Sequence, residues 1–238
     1  MIPLRQATPN RRPPVVNRTL VALNVLVFAV LLVLGPLTSM VIETLGFIPA
    51  RLIHPAAFGD SRLDVTVTLV TSLFLHGGVV HLFGNMIYLW VFGGAVEDAL
   101  GHTRYLLFFI LAGVIGSLTH TVLFPRSVIP SIGASGCIAG ILGAFLVLRP
   151  GARIVTLFPL VVYWAMAEIR AIVFLPIWFA LQFFNGFLAL AAAATAEQSA
   201  GVAWWAHVGG FLFGVAVGLW ARARDHAVEN ASRPERSA

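Results

Sequence analysis

Six apolar stretches, at about 20–36, 79–97, 104–124, 133–149, 171–193 and 202–221, constrain this chain more than anything else in it. A helix needs about 20 apolar residues, within a range of roughly 17–25, to cross the ~30 Å hydrocarbon layer of a bilayer. All six stretches fit that window, the fourth barely. Composition agrees: 59% of the 238 residues are hydrophobic and 11% are charged, where a soluble domain carries about 25% charged residues. The sequence therefore predicts an all-α polytopic membrane protein with a six-helix transmembrane bundle. A seventh apolar run, 154–167, holds 14 residues and contains Pro159 between Arg153 and Glu168. Runs of about 10–14 residues lie at the interface more often than they cross it, so this one is expected on the cytoplasmic surface.

Charge gives the orientation. The chain has 15 basic residues, all arginine. With six spans and a cytoplasmic N-terminus, twelve arginines fall inside and Arg51, Arg62 and Arg126 fall outside, as the positive-inside rule requires. Arginines beside apolar segments report membrane orientation rather than nucleic-acid binding, so the lipid bilayer is the expected partner and nucleic acid is not. The first apolar run lacks a small-residue cleavage pattern and is expected to be retained. Residues 1–17 and 224–238 are polar and are expected to be disordered cytoplasmic tails around a single domain, 18–223. The long outer loop, 37–78, is apolar enough to be partly embedded in the membrane. Cys137 is the single cysteine, so no internal disulfide forms; it sits two residues past Ser135 and faces elsewhere.

Polar side chains in lipid are costly and tend to mark function. Three sites have them: His81 and Asn85 in the second span, Ser135 within Gly133-Ala134-Ser135-Gly136 at the start of the fourth, and His207 in Ala206-His207-Val208-Gly209-Gly210 of the sixth. At ~1.5 Å per residue, Ser135 and His207 both lie about 21–22 Å above the arginines that end their spans. His81 and Asn85 lie roughly 24 and 18 Å above Glu97. Four polar groups thus share one depth, about a third of the way into a ~30 Å core. Gly136 and Gly140 form one GxxxG, and Gly210, Gly214 and Gly218 form two more on the face of His207. Small residues let helices approach closely in lipid. These glycines, with Gly133, are the expected packing surface that brings the fourth and sixth spans together.

Such an arrangement suits acyl transfer. A serine hydroxyl becomes a nucleophile when a base takes its proton, and His207 is placed to be that base and then the acid for the leaving amine. No carboxylate lies in a span at that level, so a Ser135–His207 dyad is expected. His81 and Asn85, spaced i, i+4 on one helix face, and the Ser135 amide at a helix start are candidate donors to an oxyanion. The plainer readings are a packing serine, hydrogen bonds that only hold helices together, or a histidine metal site including His76 and His120. The last lacks accompanying carboxylates and cysteines. A small-solute transporter would be expected to show an internal repeat, and none is visible.

At these residues the chain resembles the rhomboid family of intramembrane serine proteases. The family's Gly-x-Ser-Gly motif matches Gly133 to Gly136, its Ala-His motif followed by glycines matches Ala206 to Gly210, and its His-x-x-x-Asn motif matches His81 to Asn85. His76 in Phe-Leu-His-Gly-Gly, the Gly-Gly-Ala-Val-Glu run ending at Glu97, and Gly46 to Arg51 also look like family sequence. The likeness covers about residues 15–221. It implies a rhomboid-like bundle with a partly embedded first outer loop, Ser135 as nucleophile, His207 as base, and His81 and Asn85 as the oxyanion pair. It also implies no cofactor or metal, and cleavage of single-span membrane proteins in or near the outer part of their helix. A non-catalytic membrane-protein binder of the same fold is the alternative. Two departures stand out: Ala139 occupies a position, four after the serine, that is aromatic in many members, and the first outer loop lacks their Trp-Arg pair. The arginine-rich, lysine-free composition points to a bacterial cytoplasmic membrane.

Overall fold

A 14-residue helix, too short to cross a bilayer, forms the centre of the bundle. The structure is a computed structural model that describes residues 1–7, 9–159, 164–193 and 202–231. A short strand β1 (Ile2–Gln6) precedes α1 (Val15–Leu34). The first long loop folds into α2 (Thr38–Leu45), α3 (Pro49–Ile53) and α4 (Arg62–Thr71). Then come α5 (Val79–Leu100), α6 (His102–Leu123) and the short α7 (Ser135–Leu148). Strands β2 (Arg153–Pro159) and β3 (Trp164–Arg170) lead into α8 (Ala171–Ala193) and α9 (Trp204–Ala231).

Among the described residues, α1 with α2, α5, α6, α8 and α9 supply five segments long and apolar enough to cross a membrane. The chain is a multi-pass membrane protein. Helix α7, at 14 residues, is about 21 Å long, short of the ~30 Å hydrocarbon layer. Every residue from Gly136 to Phe145 is buried, because α5, α6, α8 and α9 all pack around it.

The glycines explain how α7 and α9 meet. A Cβ on Gly210 would fall on the Gly136 carbonyl, and one on Gly214 would fall on the Gly140 carbonyl. Gly143 meets the Phe211 carbonyl in the same way, and Gly140 faces Ala112 of α6. The expected small-residue surface is thus a backbone-to-backbone crossing. Gly133, grouped with these glycines from sequence, does not belong to it. It precedes the helix with φ 114° and faces His81 instead.

Far from this crossing, two adjacent acids bind the N-terminal segment. Glu97 is 2% exposed and accepts from the amides of Val16 and Asn17 at 2.9 and 2.7 Å. Its carboxylate also lies 2.6 Å from His102 Nδ1. Helix starts leave amides without partners, so Glu97 caps α1 from another helix. Asp98 accepts from the amides of Arg11 and Arg12 at 3.0 and 3.1 Å and pairs with Arg149 at 3.0 Å.

Two expectations from sequence need correction. Residues 1–17 were expected to be a disordered tail, but 2–6 form β1 and 15–17 already belong to α1. The described residues of the run 154–167, which had been given no secondary structure from sequence, lie in β2 and β3, antiparallel neighbours with Arg153 opposite Arg170. Strand β1 joins the other edge of β2, which adds a three-stranded sheet to the helical bundle. Its backbone groups find partners in the sheet, as buried or half-buried backbone must. The C-terminal boundary also differs, since α9 continues past residue 223 to Ala231. Residues 232–238 of the tail lie outside the described residues.

The crossing is testable. Gly214→Ala is expected to destabilise the protein by about 1–3 kcal/mol, the usual range for overpacking, as measured by thermal or denaturant unfolding in detergent. An unchanged midpoint would contradict the backbone contact with Gly140.

Candidate active site

Ser135 is the first residue of α7, so its position follows from where that helix can begin. The preceding segment, residues 124–134, is irregular, and the first loop holds it. Phe47 and Ser131 exchange backbone hydrogen bonds at 3.3 and 2.7 Å, Ala50 donates to the Ser127 carbonyl at 3.0 Å, and Gly133 donates to the Ser72 carbonyl at 2.9 Å. Phe47 is fully buried with Val65 and Leu69 beneath this contact. Irregular backbone at membrane depth is tolerated where protein or a water-filled cavity satisfies it; here the first loop does so.

The α7–α9 crossing brings Ser135 and His207 together. Ser135 Oγ lies 2.8 Å from His207 Nε2. The other ring nitrogen, Nδ1, lies 2.8 Å from Oε1 of Gln182 on α8. A neutral imidazole carries one proton. If the Ser135 hydroxyl donates to Nε2, the proton is on Nδ1 and is donated to Gln182. Gln182 is 9% exposed and His207 7%, so both polar groups have left solvent and each satisfies the other.

His81 and Asn85 approach from α5, one turn apart. A Cβ on Gly133 would meet His81 Nε2 at 2.7 Å and Asn85 Nδ2 at 3.8 Å. Both groups therefore point at the backbone two residues before Ser135. The Gly77 amide makes a long contact to His81 Nδ1, 3.5 Å, and Nε2 is the nitrogen facing the site. Asn85 Nδ2 donates one hydrogen to the His81 carbonyl at 2.9 Å and has a second to offer. His76 lies behind them, 1% exposed, with its ring edge-on to His81 at 5.1 Å. Burial first, then the neighbouring His81, lowers its pKa to about 4, so His76 is a neutral support.

A cavity of about 1010 Å³ opens over these groups, lined by His81, Asn85, Ser135 and His207 together with Ser117 and His120 of α6. Cys137 is fully buried in the core. No cluster of three histidine, cysteine, aspartate or glutamate residues suited to a metal occurs among the described residues. The arrangement has the parts of an acyl-transfer site: a hydroxyl on a base, and donors converging beside it.

A rhomboid domain model matches residues 64–224, which contain all of these groups. The chain belongs to the rhomboid family. It is similar to the rhomboid protease GluP of Bacillus subtilis (strain 168), 36% identical over 138 residues, covering 56% of this chain and 24% of that protein. The putative rhomboid protease YdcA of the same organism is 37% identical over 78 residues, 33% of this chain and 39% of that protein. The mitochondrial presenilin-associated rhomboid-like protein of Mus musculus is 30% identical over 152 residues, 62% of this chain and 36% of that protein. The matches thus span about a quarter to two fifths of these relatives' length.

Two residues of this rhomboid's site were missed from sequence. Gln182 was passed over because only acids were considered as partners for His207; a glutamine inside an apolar span was the available signal. Trp178 was passed over as one aromatic among many. Ala139, where many family members have an aromatic residue, is wholly buried. The aromatic neighbours of His207 come from other places: Trp178 of α8, centroid 6.1 Å away, and Trp204 at the start of α9, 5.9 Å away and edge-on.

Gly133→Ala tests the local geometry. The left-handed backbone and the His81 contact together are expected to destabilise the variant by about 1–3 kcal/mol in an unfolding measurement. A variant as stable as the parent would contradict this placement.

Proposed function

We propose that this rhomboid is an intramembrane serine endopeptidase that cleaves single-span membrane proteins in or near the outer part of their transmembrane helix. One observation carries the reading: the 2.8 Å hydrogen bond between Ser135 Oγ and His207 Nε2 inside a cavity set into the bundle. His207 Nε2 takes the hydroxyl proton as Ser135 Oγ attacks the scissile carbonyl carbon. The oxygen of that carbonyl becomes an oxyanion, held by His81 Nε2–H, the free Asn85 Nδ2–H and the Ser135 amide. That amide sits at a helix start, where the dipole favours negative charge. The tetrahedral intermediate then expels the amine, which receives its proton from His207. Water, deprotonated by the same nitrogen, attacks the acyl-enzyme ester and frees Ser135. No cofactor takes part in these steps.

The arginine distribution supports a cell-membrane protein with both termini in the cytoplasm, which puts the start of α7 nearer the outer face. The short α7 supports the same picture: its first residue lies about 9 Å below the outer surface if its other end reaches the inner one. Water then has a short path from outside. A substrate helix must present an extended peptide bond at that depth, so a segment of weak helical propensity is preferred.

Purified protein is mixed with a single-span model substrate in detergent or proteoliposomes, and cleavage is followed by gel and mass spectrometry. The parent cuts the substrate. Ser135→Ala and His207→Ala each lower the rate by at least about 1000-fold, and Asn85→Ala by about 100- to 1000-fold. Cleavage that survives both Ser135→Ala and His207→Ala would sink the proposal. Binding of the substrate without cleavage by the parent would favour the non-catalytic binder.

A further inference from the structure

Helix α8 is largely unburied. Its buried residues are Ala171, Phe174, Leu175, Gln182 and Gly186, and the first three lie at the end joined to β3. Towards the site, the buried contacts of α8 reduce to an amide and a glycine. Burying an amide without a hydrogen bond is costly, so an inward glutamine in so apolar a helix needs a partner. That partner is His207 Nδ1, at 2.8 Å. Trp178, one turn earlier, lies against the same imidazole. Gly186, one turn later, accepts from Trp205 Nε1 at 3.0 Å. Residues spaced i, i+4, i+8 share a helix face, and this face lies along the first turn of α9.

The tautomer of His207 then becomes the question. A neutral histidine can carry its proton on either nitrogen, and only the Nδ1–H form leaves the Nε2 lone pair free for the Ser135 hydroxyl. Nothing on His207 itself selects that form. The Gln182 amide does so through the atom it turns to the ring: its carbonyl oxygen, 2.8 Å away, accepts from Nδ1–H and cannot donate to a bare Nδ1, whereas the amide nitrogen in that place would select the other form. It also limits rotation of the ring, with Trp178 on one side. When Nε2 receives the serine proton, Nδ1–H becomes the donor of a charged imidazolium, and a hydrogen bond to a charged group is about twice as strong. The interaction is therefore stronger when the base is loaded than when it is free, which is the condition for aiding the chemical step.

We propose that Gln182 is the positioning residue of His207, holding its Nδ1–H tautomer and aiming Nε2 at Ser135 in place of a triad carboxylate. This rests on the protease reading above. Among the described residues no carboxylate hydrogen-bonds either ring nitrogen. His81 from α5 and His120 from α6 are titratable groups that line the same cavity as the His207 ring. The base is thus neutral-partnered, and α8 must be seated for it to be aimed.

The test compares the parent with Gln182→Leu and Gln182→Glu, and with Ser135→Ala as the control, on a single-span substrate across pH. Gln182→Leu lowers kcat about 10- to 100-fold, part of the ~100- to 10,000-fold that a positioned base supplies, with KM within about twofold. Gln182→Glu restores much of that rate and moves the acid limb of kcat/KM to higher pH, because an adjacent anion favours the imidazolium. A merely structural glutamine would instead leave Gln182→Leu, once folded, with the parental kcat. Nitrogen-15 histidine NMR of the parent protein, with His207→Ala to assign the signal, needs no folded Gln182 variant: the proton is expected on Nδ1. A proton on Nε2, or a Gln182→Leu enzyme with parental kcat and pH profile, overturns the inference. Cleavage unaffected by Ser135→Ala would instead overturn the protease reading.

Discussion

Contact between the bare backbones of α7 and α9 sets everything else at the site. The two helices approach until the carbonyls of Gly136 and Gly140 leave no room for a Cβ on Gly210 and Gly214. In lipid no hydrophobic force drives helices together, so van der Waals contact and interhelical hydrogen bonds must do it. The closeness of the crossing then decides whether a hydroxyl at the end of a short serine side chain can reach an imidazole on the neighbouring helix. It does, at 2.8 Å. Packing and chemistry are one requirement here, because a Cβ at Gly210 or Gly214 has no room unless the helices that carry Ser135 and His207 shift.

The elements around this crossing divide the work. The first loop ties down the segment before Ser135, which lets α7 begin below the surface without stranded backbone groups. Helix α5 brings two donors to the Gly133 backbone, and the left-handed φ of Gly133 makes room for them. Helix α8 reaches the site through Gln182 and Trp178. At the far end, Glu97 and Asp98 bind the N-terminal segment and α1 to α5 through four backbone amides. The sheet is attached on that N-terminal side as well, through β1 and the hydroxyl of Tyr88, which donates to the Met1 carbonyl at 3.2 Å.

The helical bundle was legible in the sequence because each span carries its own signal: length, apolarity and flanking arginines are local. The meeting of Ser135, His207, His81 and Asn85 was legible for a related reason. Helical rise is constant, so distance along a span converts to depth, and polar residues in lipid are few enough to count. Strand β1 was not legible, since its partner β2 lies some 150 residues away and five residues carry no period of their own. The strands within 154–167 were not assigned because the run was judged by its apolar length and not by its β-branched residues, Ile154, Val155 and Thr156, which favour strands. Gly133 was misgrouped because a left-handed turn and a packing glycine look alike in sequence. Gln182 was missed because only acids were considered as partners for His207, though a neutral carbonyl oxygen accepts an imidazole proton as a carboxylate does.

The central claim is that Ser135 is a nucleophile activated by His207. A fluorophosphonate tests it directly, because it forms a phosphorus–oxygen bond, with loss of fluoride, at a serine whose proton a base removes. Purified protein is labelled and the adduct mapped by peptide mass spectrometry. The account predicts one adduct, on Ser135, whose formation slows by orders of magnitude in His207→Ala. No adduct, an adduct on another residue, or equal labelling of His207→Ala would contradict it.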